Sequence, residues 1–127
     1  MKILIDTHVF IWLMNGDNSI SEKALSIIQN PDNEIFISDA SFWEISIKIK
    51  IGKLQYLQSF ENLQVYAVNN NISILPLKFE YYKQLLNLNL HHRDPFDRII
   101  IAQSIVEKIT IITIDEKFKL YEIPIIW

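Results

Sequence analysis

At 127 residues, with 50% hydrophobic and 21% charged residues, the chain has the size and composition of a single globular domain over residues 1–127, which excludes a disordered chain. It has no cysteine, no export signal at its N-terminus and no stretch approaching the ~18 apolar residues of a membrane span, so we expect a cytoplasmic protein without disulfides, thiolate metal sites or membrane contact. The net charge of −3 excludes attraction of nucleic acid by overall charge, so RNA binding would need a local basic patch or bound cations.

The N-terminal part of the chain predicts one strand and one helix. Residues 3–5 are a short apolar run, typical of a strand buried on both faces of a parallel sheet, and Asp6 ends it. Ser19 and Glu22 have the spacing of a capping box, which predicts a helix that stops before Pro31. The apolar positions of this helix recur at helical intervals: Ile20, Ala24, Ile27 and Ile28.

The middle of the chain predicts alternating strands and helices. Residues 35–37 predict a second strand, and Ser38 is a candidate N-cap for a helix that ends at Gly52. A further helix is predicted at about 60–69, followed by a short strand at 72–75. The helix after Ser38 has one predicted apolar face, formed by Ala40, Trp43, Ile47 and Ile51. A further helix is predicted after the third strand, and its apolar face is formed by Phe79, Tyr82, Leu85 and Leu86.

The C-terminal part completes the pattern. Asp94 before Pro95 predicts a helix start, because the side chain can cap the helix and proline is tolerated at its first position. Residues 109–114 predict a buried strand followed directly by Asp115, and residues 123–126 predict a last short strand. Strands that alternate with helices favour parallel pairing, so the predicted fold is a three-layer α/β/α sandwich with a central, mostly parallel sheet.

The predicted strands and helices place several acidic residues at one edge of the sheet. Asp6 and Asp115 follow strands, Glu44 lies about two turns into a helix that follows a strand, and Asp97 lies in the first turn of another helix. Clustered carboxylates raise one another's pKa unless a divalent cation is present. Oxygen ligands without cysteine favour Mg²⁺ or Mn²⁺ over Zn²⁺, and such a site is suited to hydrolysis of a phosphodiester.

Four segments of the chain also resemble those of a known family. In order, they are LIDTHVFIWL at 4–13, ISDASFWEISIKIKIGKL at 37–54, HHRDPFDRIIIAQS at 91–104 and IITIDEKF at 111–118. With these segments the chain is similar to the PIN-domain ribonucleases, and most closely to toxins of the VapC type. The resemblance spans nearly the whole chain and implies a parallel-sheet α/β/α sandwich, in agreement with the pattern of strands and helices.

The resemblance implies a site and partners. It implies that Asp6, Glu44, Asp97 and Asp115 form the catalytic, metal-binding acidic cluster, with Asp6 and Asp97 as direct ligands. Asp94 is either a further ligand or only the cap of its helix. The resemblance further implies pairing with an antitoxin whose C-terminal tail blocks the cleft, formation of a homodimer, and cleavage of transfer RNA or ribosomal RNA.

Other polar residues allow two interpretations each. Glu44 and Lys48 have the spacing of a surface ion pair on a helix, although the resemblance favours metal or water binding by Glu44. Thr7 and Thr113 are candidates to orient ligating carboxylates or a water, and we place them with Lys48 and Arg98 on the substrate side of the site. A basic rim for RNA phosphates, or ordinary solubilising charge, is formed by Lys48, Lys50, Lys53, Arg93 and Arg98.

Histidine and aromatic residues are also left open. His91 and His92 are poor candidates for a zinc site, because adjacent histidines rarely bind one ion, so contact with substrate or surface placement is expected. Trp12, Trp43 and Phe96 either stack on bases or belong to the core or a partner interface.

Two functions of different class follow. The first is a Mg²⁺- or Mn²⁺-dependent endoribonuclease, the toxin of a type II toxin–antitoxin pair. The alternative is a PIN-fold module that binds RNA or protein without catalysis, which the negative net charge favours. A phospho-acceptor domain built on Asp6 is disfavoured because His8 stands where a second acid is expected.

Overall fold

The computed structural model describes residues 1–55 and 59–127 and is built around a five-stranded sheet. All four strand pairings are parallel, and the strand order is β3-β2-β1-β4-β5. The strands are β1 (Lys2–Ile5), β2 (Glu34–Ser38), β3 (Ile72–Leu75), β4 (Thr110–Ile112) and β5 (Ile125–Ile126). The helices are α1 (Thr7–Asn15), α2 (Glu22–Gln29), α3 (Asp39–Lys50), α4 (Glu61–Asn69), α5 (Phe79–Leu86) and α6 (Pro95–Glu107), with a 3₁₀ helix at Glu116–Tyr121.

The core lies on both faces of this sheet. In the central strand, Ile3 and Ile5 belong to one apolar cluster, whereas Leu4 belongs to a second cluster on the opposite face. All three side chains are fully buried, as expected for a strand covered by helices on both sides. The predicted three-layer α/β/α sandwich is therefore confirmed. None of the helices in the described ranges is both long and apolar enough to cross a bilayer.

The structure adds helices that the sequence pattern did not predict. Helix α1 begins directly after β1, and Asp6 is its N-cap, because its Oδ1 accepts a hydrogen bond of 2.8 Å from the backbone N–H of Val9. Near the C-terminus, β4 is shorter than the predicted strand at 109–114, and the 3₁₀ helix follows it.

The predicted capping box of α2 is wrong. The N-cap is Ser21, whose Oγ accepts a hydrogen bond of 3.1 Å from the backbone N–H of Ala24. Ser19 instead donates its hydroxyl to Asp17 at 2.6 Å in the preceding turn. The spacing of Ser19 and Glu22 fits a capping box, but Ser21 lies close by, and the local backbone geometry makes Ser21 the N-cap.

The predicted apolar faces of α3 and α5 are wrong at most positions, although Ala40 is buried and Leu85 packs against the core. In α3, Trp43 is 61% exposed and Ile51, the residue after it, 58%, whereas Ser41, Glu44 and Ile45 are buried. This helix carries a second apolar stripe, and that stripe is the one that packs against the core: Phe42, Ile45 and Ile49. In α5, Tyr81 is buried and donates its hydroxyl to Glu107 at 2.7 Å, while Phe79, Tyr82 and Leu86 are exposed.

Candidate metal centre

Asp6 lies where β1 meets α1, at the carboxyl edge of the sheet. Its backbone N–H donates to the carbonyl of Ile112 in β4 at 3.1 Å, which connects the carboxyl ends of the neighbouring strands β1 and β4. Its side chain is almost fully buried, and the hydroxyl of Thr113 donates a hydrogen bond to its Oδ2. The same Thr113 oxygen accepts the backbone N–H of Asp115 at 3.0 Å, so one hydroxyl links two of the predicted acids.

Glu44 reaches the site from the middle of α3. The residue is 3% exposed, and its Oε2 lies 2.7 Å from the ammonium of Lys48, one helical turn further on. Its other oxygen, Oε1, is buried and accepts no hydrogen bond from any residue that the structure describes. A buried carboxylate oxygen without a partner is costly, which indicates that a ligand or water belongs against it.

Asp94 and Asp97 come from the start of α6. Asp94 is the N-cap, as predicted, and its Oδ1 accepts the backbone N–H groups of Phe96 at 2.9 Å and Asp97 at 3.1 Å. Asp97 lies in the first helical turn. Its pKa is raised from 3.8 to about 8, first by burial and then by four surrounding negative charges: those of Asp94, Glu44, Asp6 and Asp115.

Asp115 lies at the start of the 3₁₀ helix, and its side chain contacts His92. Asp115 caps that helix through Oδ1, which accepts the N–H of Lys117 at 2.9 Å. Its Oδ2 lies 2.8 Å from Nε2 of His92, and the same nitrogen lies 3.1 Å from Oδ2 of Asp97. One ligating atom from each of these three side chains lies within 4.8 Å of the others.

Sequence reasoning missed His92, for which it expected substrate contact or surface placement. The residue is only 6% exposed and lies inside the acidic cluster. The single sequence signal was its position two residues before the helix cap Asp94, close to two predicted acids. Its neighbour His91 is exposed, with its ring edge-on to Tyr121 at 5.2 Å.

The electrostatics of the site follow from its burial. The pKa of Asp6 is raised chiefly by burial, and hydrogen bonds from Thr113 and Val9 partly oppose that effect. Together with the raised pKa of Asp97, this indicates that the protein compensates only part of the negative charge gathered here, chiefly through the pairing of Lys48 with Glu44. A divalent cation would compensate it, and carboxylate oxygens, one of them without a partner, fit Mg²⁺ or Mn²⁺.

The residues placed on the substrate side are engaged in different ways. Thr7 is buried and donates its hydroxyl to Ser41 at 2.9 Å. Lys48 pairs with Glu44, and Thr113 binds Asp6. The Arg98 guanidinium donates to a set of backbone carbonyls: Leu88 at 3.1 Å, Asn89 at 2.8 Å and His92 at 3.1 Å.

Two of the aromatic candidates flank the cluster. Trp43, next to Glu44, is exposed, and its ring meets that of Phe96 edge-on with centroids 5.3 Å apart. Phe96 is the residue before Asp97, so the two rings mark the α3 and α6 sides of the site. Trp12 lies elsewhere, packed against the core cluster that contains Ile3 and beside Trp127.

The chain is similar in sequence and in fold to known proteins. The family model described as "PIN domain" matches residues 3–123. No curated protein matches the chain in sequence. Similar solved structures include VapBC-1 from nontypeable Haemophilus influenzae, with a TM-score of 0.71, 17% identity and 99% and 97% of the two chains covered. VapBC2 from Rickettsia felis, bound to a DNA fragment from its promoter, has a TM-score of 0.72, 16% identity and coverage of 99% and 98%. VapBC-5 from Mycobacterium tuberculosis, a member of the VapBC family of toxin-antitoxin systems, has a TM-score of 0.61, 16% identity and coverage of 98% and 97%.

Proposed function

Because the chain belongs to the PIN-domain family, we propose that it is a metal-dependent endoribonuclease, the toxin of a type II toxin–antitoxin pair. One observation carries the catalytic part of the proposal. Acids from separate parts of the chain converge: ligating atoms of Asp97 and Asp115 lie within 4.8 Å of each other, and one Thr113 hydroxyl bonds both Asp6 and the backbone of Asp115. In keeping with this geometry, the charges of four acids raise the pKa of Asp97: Asp94, Glu44, Asp6 and Asp115. Such a cluster is typical of a site that neutralises its charge with a cation.

In the proposal, Asp6 and Asp97 are direct ligands of Mg²⁺ or Mn²⁺, and Glu44 and Asp115 complete the site. When bound, the cation would polarise the phosphodiester and lower the pKa of a water for attack. Thr113 holds Asp6 and orders the turn that carries Asp115. We assign Asp94 to the helix cap and to the local negative charge, since its Oδ1 already accepts two backbone N–H groups.

Glu44 has the contacts of a residue that orients water. Lys48 holds its Oε2, so the carboxylate is anchored at one oxygen while Oε1 is left for a hydrogen bond from outside the protein. We assign that bond to the attacking water, which would lie against a carboxylate able to accept its proton. Lys48 therefore acts through Glu44 in this proposal, and Arg98 supports the loop at residues 88–92 through its bonds to backbone carbonyls.

The partners are inferred from relatives. The three similar solved structures named above are VapBC proteins, which supports an antitoxin as the partner of this chain. The PIN-family resemblance supports a structured RNA, tRNA or rRNA, as substrate and a homodimer as the assembly. Trp43 and Phe96 offer exposed and half-buried rings beside the acids, suited to stacking on an unpaired base.

The test compares Asp6→Asn with Asp17→Asn. Asp17 lies in an exposed turn away from the cluster, so it controls for the loss of one negative charge. Purified wild type and Asp17→Asn should cut members of a panel of structured RNAs when Mg²⁺ or Mn²⁺ is added, and a chelator should stop the reaction. Asp6→Asn should lose cleavage while keeping its circular dichroism spectrum.

Equal cleavage by Asp6→Asn would refute the assigned site. RNA binding by the wild type without any cation-dependent product would instead favour the alternative of a non-catalytic binding module.

A further inference from the structure

Among the residues that the structure describes, His92 is the one nitrogen ligand candidate in a cluster otherwise built from carboxylates. Its Nε2 lies 2.8 Å from Oδ2 of Asp115 and 3.1 Å from Oδ2 of Asp97. By distance alone, the ring could either donate a proton to these oxygens or present a lone pair to a metal beside them. The other ring nitrogen decides between the two.

Nδ1 of His92 accepts a hydrogen bond from the backbone N–H of Asp94 at 3.2 Å. A backbone N–H can only donate, so Nδ1 must present its lone pair. In a neutral imidazole the single ring proton then resides on Nε2, which becomes a donor. The helix cap that begins α6 thus also selects the tautomer of the histidine two residues before it.

We propose that His92 is a positioning residue whose Nε2–H donates into the gap between Asp97 and Asp115, holds the two carboxylates together and keeps nitrogen out of the metal-ligand set. The part that concerns the cation rests on the proposed function, whereas the tautomer rests on the hydrogen bonds alone. A single N–H that lies against oxygens of both Asp97 and Asp115 keeps the two side chains close before any cation arrives.

The tautomer has a consequence for the choice of metal. Histidine nitrogen beside carboxylates would favour Zn²⁺ or other borderline metals, whereas oxygen ligands alone favour Mg²⁺ and Mn²⁺. Because Nε2 of His92 carries the proton, it has no lone pair to offer. The site keeps an oxygen-only ligand set although a histidine lies within 4.8 Å of its acids. Hydrogen-bond donors of this kind orient ligating carboxylates in metal sites.

The loop around His92 is built to hold the ring in place. The backbone N–H of His92 donates to the Tyr121 hydroxyl at 2.6 Å, and its carbonyl accepts from the Arg98 guanidinium at 3.1 Å. The ring itself meets Phe118 edge-on with centroids 5.7 Å apart. The backbone and the ring of His92 are therefore also held by contacts outside the acidic cluster, in addition to the contacts of Nε2 with the two acids.

The first experiment reads the tautomer directly. Two-bond ¹H–¹⁵N correlation spectra of the full chain, labelled with ¹⁵N-histidine, distinguish the Nε2–H from the Nδ1–H form, and His92→Gln assigns the resonance. We expect the Nε2–H form without metal, retained when Mg²⁺ is added. An Nδ1–H form, or loss of the Nε2 proton on addition of Mg²⁺, would overturn the proposal.

The second experiment compares variants by Mn²⁺ affinity, measured by calorimetry on the full chain. His92→Leu removes the donor and should weaken Mn²⁺ binding by roughly 10- to 100-fold, the usual effect of losing a hydrogen bond to a ligating group. His92→Gln places an amide N–H near the position of Nε2 and should recover most of that loss. His91→Leu, in the exposed neighbour, is the matched control and should bind Mn²⁺ as the wild type does.

A purely structural role for the ring would not give this pattern. If His92→Leu binds Mn²⁺ like the wild type, or if His92→Gln binds as weakly as His92→Leu while both melt normally, the positioning role is wrong. If His92→Leu does not fold, the proposal is tested by the tautomer of His92 in the wild type, with the Nε2–H form supporting it and the Nδ1–H form overturning it. The tautomer is read without RNA, so absence of RNA cleavage by the wild type would count against the proposed function and leave this inference standing.

Discussion

Asp97→Asn should stabilise the metal-free protein at alkaline pH while it removes the response to metal. The folded state raises the pKa of Asp97 from 3.8 to about 8, mainly through burial. The unfolded chain therefore loses this proton from about pH 4 upward, whereas the folded chain keeps it until about pH 8. The folded state binds more protons across that window, so its stability falls as pH rises through it and levels off above pH 8.

The size of the effect follows from the shift. Each pKa unit corresponds to about 1.4 kcal/mol, so between about pH 5 and about pH 8 the wild type should lose up to ~4 kcal/mol through this one group. The side chain is 18% exposed, so water screens little of this energy. Asparagine has nearly the same shape and no charge to bury, so the variant should lack this loss. The pKa of Asp6 is raised as well, and its contribution remains in both proteins.

The assay is urea unfolding in chelator at several pH values between 5 and 8, for wild type, Asp97→Asn and Glu116→Gln. Glu116 is exposed and paired with Lys119, so it controls for the loss of a nearby acid. Saturating Mg²⁺ at pH 8 should raise wild-type stability, by about 2.7 kcal/mol at 100 times the dissociation constant, and leave Asp97→Asn unchanged. If the free energy of unfolding without metal depends on pH in the same way in wild type and Asp97→Asn, the assignment of the buried charge to Asp97 is refuted.

Two further predictions concern the same region. Binding of Mn²⁺ near pH 7 should release close to one proton, because the cation must displace the proton that Asp97 holds below about pH 8. Calorimetry in two buffers of different ionisation enthalpy measures the number of protons released. A binding enthalpy that is the same in both buffers would contradict the prediction. Arg98→Leu should lower the free energy of unfolding by about 2–3 kcal/mol, since the carbonyls of Leu88, Asn89 and His92 lose a charged donor. The stability of Arg98→Lys should lie between those of the wild type and Arg98→Leu. If urea unfolding shows that Arg98→Leu loses less than about 0.5 kcal/mol, water replaces those hydrogen bonds.

Local sequence determined the layout of the fold and the acids that it brings to one edge. Residues 3–5 and 35–37 are apolar runs bounded by polar residues, and residues 72–75 are apolar except for Ser73; such short runs are typical of strands that are covered on both faces. Alternation with helices favours parallel pairing, which places residues that follow β1 and β4 at the same edge. Asp6 and Asp115 could therefore be named from the sequence, and Asp94 could be named as a cap from its place before Pro95.

Tertiary structure decided which helix faces are buried and which polar groups meet. Helix α3 carries two apolar stripes, and the choice that buries Ile45 and exposes Trp43 depends on the sheet and α1, which lie far away in sequence. The contacts of His92 with Asp97 and Asp115 likewise span loops, and its tautomer is set by one backbone N–H whose direction no periodicity encodes. Periodic patterns report local geometry, whereas side-chain pairing across the fold is a property of the folded chain as a whole, because distant segments must first be packed before their polar groups can meet.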